Sequence, residues 1–260
     1  MKIAAALLPL LALGLAPSYG AAAAPHAGAI AAPDPQSLID ANVQLTARIK
    51  ATAPGKPLPS LDNDGAALVR VAYDAETIRT APLDDAGVIG GMCEAIGNSM
   101  VAYGTAMEQE AHGDSAALQT ETVRLQNEFS LATAAANICV QRAFRSVDSV
   151  IATLSPEVIG NIAPALQMMR TGTAMTIEGT IALLEMEGYT PANQELMVTA
   201  MAEDSAVVAA SFPAAERQKL ATMVRDAAGR ARPGLKPALE RLARSFAAND
   251  CNNICKAAGG

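Results

Sequence analysis

Four cysteines carry the most definite chemistry in this chain: Cys93, Cys139, Cys251 and Cys255. In an exported protein such residues pair as disulfides, whereas in a reducing compartment they point to metal or redox sites. Cys251 and Cys255 are separated by Asn252, Asn253 and Ile254 and are close enough to join locally. Thioredoxin-type chemistry uses two intervening residues and a helix N-terminus. Here there are three, after a helix, with no βαβ pattern nearby, so a structural bond is expected. A four-cysteine zinc site usually needs two close pairs of thiolates, and Cys93 and Cys139 are not one. The expected pairing is therefore Cys93–Cys139 and Cys251–Cys255. The competing connectivities would staple the tail onto the centre of the fold.

Acid–base chemistry has little to draw on. Glu94 is the one charge on an otherwise apolar stretch, residues 87–107. A catalytic carboxylate needs a second acid, a base or a metal beside it, and none is evident. The expectation is a buried ion pair with Arg142, one helical turn from Cys139, or orientation to solvent. Of two histidines, His26 falls in an alanine- and proline-rich leader and His112 ends a helix. No serine triad or multi-histidine site can be assembled from them. Asp62 and Asp64 fail as a calcium loop: with Gly65 as the turn glycine, the bidentate glutamate position falls on Val71. Glu185, Glu187, Glu203 and Asp204 are acidic pairs on expected solvated faces. No glycine-rich phosphate loop joins a strand to a helix. No catalytic residue, metal centre or cofactor is expected.

Met168, Met169, Met175, Met197 and Met201, with Met186 nearby, could line a groove for an apolar ligand or a soft metal. Methionine is also the ordinary gap-filler of helical cores, which is the stronger expectation.

The elements that must position these residues are helices. Apolar side chains at Ile89, Cys93, Ile96, Met100, Tyr103 and Met107 alternate by four and three, one face of a helix. Beside them Gly90, Gly97, Gly104 and Ala111 form a small-residue stripe. Each glycine costs about 1 kcal/mol in a helix, so the stripe suggests close approach of a neighbour. A second long helix is expected over 115–154, turning back at Gly113. The two would form a central antiparallel hairpin, bringing Cys93 near Cys139. Further helices are expected from Pro35, through 66–78 (with a strand over Ala67–Tyr73 as the alternative), from Pro156 with a break at Pro164, and from Pro191 through Val207. Two more follow, over Ala214–Ala228 and through Leu235–Phe246. The fold expected is all-α, a single-domain multi-helix array around that hairpin.

The N-terminus carries an address. Lys2, an apolar run to Ala16 and small residues at Ser18 and Gly20 match a secretory signal over 1–20. Residues 21–35 then read as a disordered Ala/Pro-rich leader, 36–250 as the helical domain and 251–260 as a Cys-containing tail. An exported protein, periplasmic or extracellular, is expected. Loss of Lys2 takes the formal charge from −7 to −8. An acidic chain with few aromatics is a poor nucleic-acid binder. Residues 213–249 run against that balance, with eight Lys and Arg against three Asp and Glu. Docking on the chain's own acidic body is favoured over a membrane surface. The function expected is non-catalytic, through a protein partner of unknown identity or a structural assembly. Carriage of a small apolar ligand is the alternative.

Overall fold

Short polar side chains start most of the helices. In the computed structural model, which describes residues 34–248 and 250–257, every regular element is an α-helix. The expected signal segment, the leader up to residue 33 and residues 258–260 of the tail lie outside the described residues. The elements are α1 (Pro35–Ala51), α2 (Ala66–Ala72), α3 (Ala75–Thr80), α4 (Ala86–Ala111), α5 (Ser115–Arg124) and α6 (Gln126–Ile151). They continue with α7 (Pro156–Leu184), α8 (Pro191–Ala202), α9 (Ser205–Ala210), α10 (Ala214–Arg230), α11 (Lys236–Ala247) and α12 (Asn253–Ala257). Asp34, Asp74, Asp85, Asp114, Ser155 and Thr190 each accept a backbone N–H of the turn they open. Such caps satisfy donors that no carbonyl of the helix itself can reach. Pro35, Pro156 and Pro191 follow three of them, where a missing N–H costs nothing. α2, like α6, α9, α10 and α11, has no such side-chain cap. Its N-cap is Gly65, and Asn63 Oδ1 instead holds the turn before it, accepting from Ser60 N at 2.9 Å and Gly65 N at 2.8 Å.

α4 and α6 run antiparallel. Cys93 and Cys139 bring their sulfurs to 2.10 Å, and the Tyr103 and Phe129 rings lie 5.9 Å apart. Both pairs are symmetric about position 116, so one register holds along the whole contact. The expected 115–154 helix is nevertheless broken at Leu125, which leaves helical geometry at φ −98°, ψ 22°. The bend lets Leu118 on α5 and Phe129 on α6 face the same core.

Three other boundaries differ from expectation, each for an identifiable reason. The helix expected through Ile78 is interrupted at Tyr73, because Asp74 caps a new helix and Tyr73 is drawn into the core. The helix expected through Val207 stops at Ala202. Buried Gln141 bridges the break, donating to Ala200 O and Met201 O and accepting from Asp204 N. Pro164, by contrast, does not end α7. Pro164 and Gly160, whose carbonyl loses its partner, are both exposed, so water can satisfy that group.

The buried side chains form two clusters. The first joins α1–α5 to the first two-thirds of α6, and the second joins the end of α6 to α7–α12. α6 is thus the main element common to both, and α8 also joins them, with Ala200 in the first and Met197, Val198 and Met201 in the second. α4, which its apolar sequence marks as central, contributes its buried side chains only to the first.

Candidate functional site

A groove of about 490 Å³ with a regular lining lies between α1 and α4. Its floor is made by Ala95, Ala102 and Ala106, with Asn98 and Thr105 between them and Gln109 one turn further on. These positions recur by three and four along α4, so they form one continuous stripe on that helix. Val43 and Lys50 of α1 form the facing wall, and Val43 is 61% exposed. Beneath the groove a buried polar chain fixes the helices. Asn42 Nδ2 donates to Leu38 O at 3.0 Å and to Ala72 O at 2.6 Å. Ser99 Oγ donates to Asn42 Oδ1 at 2.7 Å, and the Tyr73 hydroxyl lies 2.8 Å from Ser99 Oγ. Burial pushes the Tyr73 phenol well above its ordinary pKa; the Ser99 bond opposes this and the Glu128 charge adds to it. The phenol therefore stays neutral, holding α2 to α4.

The residues singled out in the sequence lie elsewhere. Glu94 and Arg142 form no ion pair. Glu94 is exposed, because Cys93 faces α6 and the next residue on a helix points about 100° away. Arg142 instead donates through Nη2 to Ala81 O, with its pKa lowered by burial and by the nearby Arg145, against the opposing pull of Asp204. Met169, Met197 and Met201 are buried in the second core, while Met168 and Met175 are exposed at 47% and 36%. None of the five lines the α1/α4 groove or the clefts around Lys56, Arg142 and Arg232. Opposite orientations on α7 and burial on α8 separate them. His112 is exposed and takes the left-handed conformation that ends α4.

Of the four acidic residues, Glu185, Glu203 and Asp204 are tied to arginines of other helices, while Glu187 is exposed. Arg79 grips Glu203 with Nε and Nη2, both at 2.8 Å, and Arg145 pairs with Asp204. The Arg79 hydrogen bond holds the Glu203 carboxyl below its ordinary pKa, burial partly opposes it, and the Arg79 charge adds to the lowering. Arg230 reaches Glu185, and Arg232 donates to Pro191 O. Lys219, Arg225, Arg241 and Arg244 are exposed and make no ion pair among the described residues. Glu128 went unnoticed in the sequence. It is 2% exposed and accepts from Leu61 N at 2.6 Å, pinning the 52–65 connection onto α6. Among the described residues no group of three His, Cys, Asp or Glu side chains is placed to hold a metal ion.

The groove can do little covalent chemistry, since Lys50 is its sole ionisable side chain. It can receive a complementary shape. Comparison with protein-family models, with curated proteins and with solved structures finds no match to the chain.

Proposed function

We infer that this is an exported, non-catalytic helical protein that binds a protein partner by seating a partner helix in the α1/α4 groove. The groove itself carries this reading. Its floor spans residues 95–109 of α4, about 21 Å at the helical rise, enough for three to four turns of a partner helix. Small side chains along that floor allow close approach, and Val43 supplies an exposed apolar ridge. Helix-in-groove recognition works through such spaced anchors. Export, to the periplasm or the extracellular space, is supported by two cysteine pairs at disulfide distance. Among the described residues no helix is long and apolar enough to cross a membrane.

A photo-reactive residue at Val101, in the groove, and another at Val158, on exposed α7, test the reading in the source cell. A helical partner should cross-link from position 101 and not from 158. Thr105→Trp fills the groove from an exposed position, so it should abolish the adduct while changing stability by no more than about 0.5 kcal/mol. Equal labelling from both positions, or labelling insensitive to Thr105→Trp, removes the groove from the function.

A further inference from the structure

Residues 250–257 do not trail from the last long helix; they are bonded to three others. Buried Arg217 of α10 donates through Nη1 to Asp250 O. Asn252 N donates to Ala210 O at 3.0 Å, and its side-chain amide to Ser211 Oγ at 2.8 Å, both at the end of α9. Asp148 of α6 accepts the N–H groups of Asn253 at 2.8 Å and of Ile254 at 3.2 Å. Asp148 thereby supplies, from another helix, an acceptor for the first turn of α12. Ile254 is fully buried in the second core.

The two cysteine pairs differ in access. Cys93 and Cys139 are 1% and 0% exposed. In the tail Cys255 is 1% exposed, but Cys251 is only partly covered. A thiol arriving from solvent therefore approaches the tail pair from the side of Cys251, while the central pair is closed on both sides. Exchange depends on such access and on which sulfur is attacked.

We propose that the Cys251–Cys255 bond is a redox-sensitive latch that keeps this segment docked on Asp148. A dithiol reductant attacks Cys251 Sγ as its thiolate; the sulfur–sulfur bond breaks, and Cys255 leaves as a thiolate and takes up a proton. The second thiol of the reductant then attacks the mixed disulfide, releasing Cys251 as a thiolate that is also protonated. Two electrons pass to the cysteines, and the reductant departs as its own disulfide. The opened loop regains the chain entropy that the bond had removed. The N–H groups of Asn253 and Ile254 lose their fixed approach to Asp148, and the surfaces under Ile254 and around Arg217 open. In an oxidising compartment the latch stays shut.

The folded full-length chain is treated with dithiothreitol, alkylated without denaturant and mapped by peptide mass, with hydrogen exchange read in parallel. Cys251 and Cys255 should be alkylated while Cys93 and Cys139 are not. The amides of Asn253–Lys256 should exchange roughly tenfold faster or more, with protection in α4 unchanged. Replacing both tail cysteines by serine should reproduce that exchange without reductant. Asp148→Ala should loosen the same amides with the bond intact. Alkylation of all four cysteines together, or a reduced or double-serine chain that keeps the oxidised protection, overturns the latch. Unchanged exchange in Asp148→Ala overturns the anchor.

Discussion

Glu203 shows how one side chain's partner sets its pH response. The Arg79 hydrogen bond lowers its pKa in the folded chain, with burial opposing and charge assisting. A carboxylate with a depressed folded-state pKa contributes stability above the unfolded value of about 4.3, and that contribution fades as pH falls through the folded value. The side chain is 37% exposed, so solvent screens the pair and its contribution is small. Glu203→Gln should cost about 0.5–1 kcal/mol at pH 7, and the difference from the parent chain should shrink towards zero below about pH 4. Urea midpoints of both chains at pH 7 and pH 3 check this; a gap that widens in acid contradicts the assignment.

Among the helices, two glycines should respond in opposite directions. A Cβ at Gly90 of α4 meets nothing within 4 Å, so the small-residue stripe is not tightly packed at that end. Gly90→Ala should therefore stabilise by about 0.5–1 kcal/mol, by removing the entropic cost of a helical glycine. A Cβ at Gly65, the N-cap of α2, would lie 2.8 Å from the Pro59 backbone and 2.9 Å from Ser60 N. Gly65→Ala should destabilise, because a backbone neighbour cannot swing aside as a side chain can. Thermal denaturation midpoints that move the same way in both variants would contradict these placements. The stripe was visible in the sequence, but which of its members meets a neighbour was not. The closer approach is one residue on, where a Cβ at Gly91 would lie 3.4 Å from Ile39 Cδ1 of α1.

For the whole molecule, the decisive feature is that α6 belongs to both cores. Its Phe129 packs in the first cluster and its Phe144, fully buried, in the second. Phe144 also continues into the Phe212 and Phe246 rings, with each neighbouring pair of centroids 6.2 Å apart. Phe144→Ala should cost about 3–5 kcal/mol. Because α6 and α8 each carry buried side chains of both clusters, the chain should still unfold in a single transition. Hydrogen exchange in the slowest amides of α4 and α11 should then rise together in this variant. A rise confined to α11 would show that the clusters unfold independently.

The sequence alone determined the helices and where most of them start. Asp34-Pro35, Asp85, Ser155-Pro156 and Thr190-Pro191 satisfy backbone donors two or three residues on, so the neighbouring chain suffices to read them. The approach of Cys93 to Cys139 was also legible, since helical rise and a turn near 113 carry the register. Tertiary structure decided what depends on distant partners. The break after Ala202 rests on Gln141, about sixty residues earlier in the chain. The turn of Glu94 to solvent and the scattering of the methionines depend on which face of each helix is covered. The groove was half legible: its Ala95, Asn98, Ala102 and Thr105 spacing stands in the sequence, yet only the placing of α1 beside α4 makes that stripe a wall with an opening. Periodicity identifies the faces of a helix, but which neighbour covers each face is set by packing across the whole chain.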